Sequence, residues 1–100
     1  MIAVCQTDRF RRWFSALRDP KARARVLVRI RRLSLGNPGD VRHVGGGVSE
    51  LRIAYGPGYR IYFIWEGSEM AILLAGGDKR TQATDIAKAR QLAVDLKGTN

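Results

Sequence analysis

The stretch from Ser49 to Arg80, SELRIAYGPGYRIYFIWEGSEMAILLAGGDKR, constrains the fold more than any other part of the chain. Apolar and polar residues alternate along it, and Gly-Pro-Gly and Gly-Ser interrupt the alternation, which predicts three antiparallel strands joined by short turns. The period of two places Leu51, Ile53, Tyr59, Ile61 and Phe63 on one face and Glu50, Arg52, Arg60 and Tyr62 on the other. A one-residue slip around the Tyr55-Gly56-Pro57 turn would mix the two sets, so the pattern fixes the parity of the pairing. Arg52 and Arg60 are then close neighbours.

Two like charges facing each other across a strand pair cost roughly 0.2–1 kcal/mol relative to a neutral pair. Either they reach into water or to Glu50 and Glu66, or a partner of opposite sign offsets the cost. Clustering favours the partner, because the third strand leaves through Gly76-Gly77 and delivers Asp78, Lys79 and Arg80 to the same end of the sheet.

One hundred residues suit a single domain, spanning 1–100, with one core and no more than three helices over one sheet. No apolar run approaches the ~20 residues that a membrane helix needs. The N-terminus lacks a basic segment followed by an apolar core, so no secretory signal is read and the cytoplasm is the expected compartment. The lone Cys5 sits among Ile2, Ala3 and Val4, where a half or wholly buried strand residue is expected. With one Cys and one His, neither a metal set nor a cofactor is expected.

The net charge of +9 is unevenly spread. Residues 1–35 carry +8 and residues 36–100 only +1, so the basic field arises in the N-terminal third. Such a field favours an acidic partner, either nucleic acid or an acidic segment of another protein.

In chain order, Ile2–Gln6 reads as a short strand and Thr7 as the N-cap of a helix that runs to about Arg18 and buries Phe10, Trp13, Phe14 and Leu17. Asp19-Pro20 ends it and opens a second helix, with Ala22, Val26, Ile30 and Leu33 along one face and Lys21, Arg25, Arg29 and Arg32 along another. That cationic stripe is read either as a solvated face or as a contact for phosphates or an acidic partner. The second reading is favoured because no Glu occurs before residue 50. Gly45-Gly46-Gly47 permits a tight reversal after a short extended piece from Val41. Thr81 or Thr84 caps a final helix whose apolar residues, Ile86, Ala89, Ala93 and Leu96, are small enough to predict packing at the sheet edge.

The order strand, helical hairpin, meander and terminal helix gives an α+β class. With LSLGNPGD at Leu33–Asp40, VSELRI at Val48–Ile53, GPGYRIYF at Gly56–Phe63 and LLAGGDKRTQ at Leu73–Gln82, followed by Asp85-Ile86, the chain resembles the RelE/ParE toxins of toxin–antitoxin modules. Within them it looks most like HigB-like addiction-module killer proteins related to phage Gp49. The resemblance implies a RelE-like domain with the first strand added in parallel after a right-handed crossover. It also implies a cytoplasmic toxin that inhibits translation by cutting messenger RNA on the ribosome without a metal.

Its implied partners are a cognate antitoxin, a small helix-turn-helix HigA-like protein, together with mRNA and the ribosome. Operator DNA would be met only through the antitoxin, and no membrane is involved. Its implied catalytic set is Arg60, Lys79, Arg52, Glu50 and Gln82. Tyr62, Arg80 and the Lys21–Arg32 stripe are the expected RNA contacts. After Tyr62 the sequence has neither the Tyr nor the His that other RelE-type enzymes use as acid or base, which leaves Glu50 as candidate base. The rival readings are a ParE-like toxin that inhibits DNA gyrase without cutting RNA, and an inactive remnant that still binds its antitoxin.

Overall fold

A computed structural model describes residues 1–98. Five strands, β1 (Ala3–Gln6), β2 (Val41–His43), β3 (Val48–Ile53), β4 (Tyr59–Glu66) and β5 (Met70–Gly77), form one sheet in the order β1-β5-β4-β3-β2. The β3–β4–β5 meander and its parity are as the alternation predicts: Leu51 faces Ile61 and Arg52 faces Arg60. β1 is parallel to β5, so among the described residues the one parallel pairing joins the first strand to the last. Its neighbour is thus not the strand that follows it in sequence; β2 lies at the opposite edge, paired antiparallel with β3 through Gly45, Gly46 and Gly47, all at positive φ.

Helices α1 (Asp8–Ala16) and α2 (Pro20–Ser34) cover one face. Thr7 accepts a hydrogen bond from the Phe10 amide and Asp19 from that of Lys21, so both caps form as expected. The core beneath them joins Phe10, Val26 and Leu33 to Leu51, Ile53, Ile61, Phe63 and Leu73. Trp13 also lies against this face, over a glycine: a Cβ at Gly76 would stand 2.1 Å from its ring.

The last helix departs from expectation. α3 (Gln82–Gly98) lies not at an edge but over the other face, where Ala89 and Ala93 pack with Val48, Tyr62, Ile64, Leu74 and Ala75. Small side chains let the helix approach the strands closely. The cap is neither Thr81 nor Thr84 but Asp78, which opens a one-turn helix η1 (Lys79–Thr81) leading into α3 and shares a capping box with Thr81. Leu96 remains 37% exposed, at the thinning end of this layer.

A register shift between Tyr62 and Phe63 puts one extra residue, Leu74, into β5 opposite β4. Thr7 meets this irregularity: its hydroxyl donates to the carbonyls of Leu73 and Leu74, both at 2.9 Å. Cys5, on the edge strand β1, is exposed rather than buried. No helix is long and apolar enough to cross a membrane among the described residues.

Candidate active site

Strand register builds the charged cluster in two rows on the α3 face. Glu50, Tyr62 and Ala75 form one row across β3, β4 and β5, and Arg52, Arg60 and Gly77 form the next. Glu50 and Tyr62 are fully buried beneath α3. One carboxylate oxygen, Oε2, accepts from the Tyr62 hydroxyl at 3.1 Å and from Gln82 Nε2 at 2.8 Å. The other, Oε1, lies 3.9 Å from Arg60 Nη1, and the Arg60 side chain is only 13% exposed. Three side chains, two from β4 and one from α3, therefore converge on one carboxylate. Burial first, and the nearby Glu50 second, push the Tyr62 phenol well above its usual range, so it stays a neutral donor.

Gly77 keeps the second row open. A Cβ there would stand 1.9 Å from Asp85 Oδ2, which in turn accepts from Thr81 Oγ1 at 2.5 Å. The strand exit, η1 and the start of α3 are thereby locked together. Across the row, the Lys79 amide donates to the Pro57 carbonyl at 3.4 Å, which fastens η1 to the β3–β4 turn. Gly58 in that turn, at φ +79°, has Lys79 Cβ 3.5 Å and Arg60 Nη2 3.9 Å from the position its own Cβ would take. The positive φ, more than the space, is what calls for glycine at this turn.

The two facing arginines each have their own acid, which removes most of the cost of their juxtaposition. Arg60 has Glu50; Arg52 directs Nη2 at 2.9 Å and Nε at 3.2 Å to Asp40 Oδ1. That hydrogen bond holds the Asp40 carboxyl below its usual range. Arg80, its side chain largely in solvent, pairs with Asp78 at 3.0 Å and likewise lowers the Asp78 carboxyl.

The phage-derived Gp49-like family (DUF891) matches residues 12–95, which include every member of this cluster. An uncharacterized protein of Haemophilus influenzae is 44% identical over 95 residues, covering 95% of this chain and 96% of the relative. The chain belongs to the Gp49-like family. That family lies within the RelE-like toxin group.

In this Gp49-like chain the register brings Glu50, Arg52 and Arg60 together, and η1 and α3 add Lys79 and Gln82, but the five divide by access. Arg60 is half-buried at the mouth, Lys79 and Arg80 are exposed, and Glu50 is sealed beneath. Tyr62, expected as a base-stacking residue, offers no free ring face because α3 lies over it. Glu50 is equally out of reach of a ribose hydroxyl in this arrangement.

The α2 stripe lies on the opposite side of the sheet and is more structural than its charge suggests. Arg29 donates through Nη1 to the Arg52 carbonyl at 2.5 Å and through Nη2 to the carbonyls of Pro38 and Asp40 at 2.8 and 3.3 Å, tying the loop after α2 to the end of β3. Arg25 lies over the Tyr55 ring at 4.6 Å, and the Tyr55 hydroxyl donates to Asp19 at 2.9 Å. Arg23, outside the stripe, donates to the Phe14 and Leu17 carbonyls and closes the end of α1. Among the described residues, no three or more His, Cys, Asp or Glu side chains are grouped as a metal site would need.

Proposed function

We propose that this protein is the toxin of a toxin–antitoxin module and acts as an endoribonuclease on messenger RNA. The observation that supports this reading best is that Arg60 Nη2 and Lys79 Cβ both approach the same point beside Gly58, with Arg52 directly across the strand pair from Arg60. Cleavage through the ribose 2′-hydroxyl develops negative charge on a pentavalent phosphate, and fixed cations in a partly dry site stabilise that charge more than mobile surface ones. Arg60 and Lys79 bracket the scissile phosphate, while Arg52 and Arg80 hold flanking phosphates.

Glu50 acts indirectly. Its carboxylate, anchored by Tyr62 and Gln82, holds the Arg60 guanidinium at the site mouth, so all three are positioning residues in this scheme. Proton transfer from the 2′-hydroxyl then falls to a group of the ribosome or of the RNA. Lys79 is exposed and the Arg60 side chain keeps 13% of its surface in solvent, so a phosphate can meet both without movement of α3. The cognate antitoxin, a small helix-turn-helix protein of HigA type, belongs to this proposal, and so do the cytoplasmic setting and the ribosome as the place of cleavage.

The test is expression of the wild type, Arg60→Ala and Lys79→Ala without antitoxin, followed by primer extension on a reporter message. Loss of one such donor lowers the cleavage rate by about 10²–10³. Growth arrest by Arg60→Ala together with an uncut message in the wild type would overturn the nuclease reading and favour a gyrase-directed toxin.

A further inference from the structure

The stripe on α2 borders a trough that the charged cluster does not use. Lys21, Ala24, Arg25, Val28, Arg29 and Arg32 line it from the helix, and Ile53 and Ala54 close it from the end of β3, around a volume of about 550 Å³. From Lys21 to Arg32 the helix rises about 16 Å, three turns with a cation on each. No acid lines the trough, and among the described residues none of the four cations makes an ion pair. The nearest carboxylate along the helix, Asp19, is already engaged by the Lys21 amide and the Tyr55 hydroxyl.

The floor differs from the rim. Val28 is 56% exposed, between Arg25 and Arg32 on the helix, and Ala24, Ile53 and Ala54 continue the apolar strip. We infer that this trough docks an acidic, amphipathic segment of a partner protein, its apolar side chains over Ala24, Val28 and Ala54 and its carboxylates between Lys21, Arg25 and Arg32. A nucleic acid would satisfy the rim but leave Val28 without an apolar partner, and it would find no open ring to stack on because Arg25 covers Tyr55. Arg25 and Arg29 are already held in place, which lowers the ordering cost of binding.

The trough opens on the side of the sheet opposite Glu50 and Arg60, so this inference stands apart from the nuclease reading and its test shares no readout with it. Random 15-residue peptides displayed on phage are selected against the full chain, and the winners are synthesised with a fluorescent label for titration. The expected winners carry net negative charge and apolar residues at three- and four-residue spacing. Their affinity falls at least tenfold with Val28→Glu and with the double variant Arg25→Glu/Arg32→Glu, but stays within twofold in Arg60→Ala. Val28→Ser serves as the milder variant, with a smaller loss, if melting curves show that Val28→Glu is unfolded.

Amide shifts in the 15N spectrum, expected at residues 21–32 and 53–54, locate the contact. Neutral or basic winners, retention of affinity in the folded variants, or a 12-residue oligouridylate that shifts the same amides at lower concentration would each overturn the inference.

Discussion

The two faces of the sheet are packed by different rules. Under α1 and α2 lie Phe10, Val26, Leu33, Leu51, Ile61, Phe63 and Leu73, an interior of large apolar groups with rings stacked between α1 residues. Under α3 the apolar residues Val48, Ile64, Leu74 and Ala75 share the layer with the alanines of the helix, one tyrosine, and a carboxylate held by a phenol and an amide and lying close to a guanidinium. The first face supplies the stability that lets the second hold groups that apolar packing would replace at no loss. Buried polar clusters of that kind are costly when incomplete and often unhelpful to stability even when complete.

The largest effects should fall on the first face. Phe63→Ala is expected to cost about 4 kcal/mol in denaturant unfolding, a large share of what a domain of this size has available. On the second face, Glu50→Ala strands a half-buried guanidinium and should cost about 3 kcal/mol. The double variant Glu50→Leu/Arg60→Met should recover most of that loss. If the double variant is as unstable as Glu50→Ala, the two faces do not differ in the way described.

A middling effect is expected at Gly77. Alanine there meets the Asp85 carboxylate, so Gly77→Ala should cost about 1–3 kcal/mol, and Asp85→Ala in the same chain should relieve part of it in a double-mutant cycle. Strict additivity of the two changes would show that Asp85 does not lock the strand exit to α3.

The smallest effect is in the pH dependence. Asp40, Asp78 and Asp19 all have lowered carboxyl pKa values, through hydrogen bonds from Arg52, Arg80 and Tyr55 respectively. A lowered folded-state value means that the stabilisation is present above the ordinary carboxylate range of about 4 and is lost as pH falls through the folded value. The melting temperature should therefore drop below about pH 4, and Asp40→Asn should make that acid limb slightly shallower. Tyr62 works in the other direction: its raised value means stability is lost as pH climbs beyond the ordinary tyrosine range of about 10. Tyr62→Phe should remove that alkaline loss.

Alternation made the meander legible down to the pairing of Arg52 with Arg60, because a pleat has only two faces and a slip would bury charge. The caps at Thr7 and Asp19 were legible for an equally local reason. What the residues did not disclose was which layer α3 belongs to, since a helix with alanines as its buried residues suits an edge and a face alike. Its true position removes Tyr62 and Glu50 from solvent and changes what they can do. Arg29 was hidden by its type: a helical arginine beside three others looks like surface charge, and only the fold brings three carbonyls within its reach. Nor does period-two reading separate Cys5, exposed on an edge strand, from a buried strand residue.

Thr7 anchors the first helix on the carbonyls of residues 66 and 67 positions further along the chain. Such a closure must wait for the chain to be made. At the usual ~5–20 residues per second, roughly 3–13 s separate the synthesis of the two ends of this contact, and β1 has no strand partner in that interval. Until then the N-terminal third is an unsealed basic segment of charge +8 beside the polyanionic ribosome that is making it. Birth of the molecule is thus a period in which its charge is displayed before its sheet is closed, and anything that engages that segment early meets a nascent chain, not a finished protein.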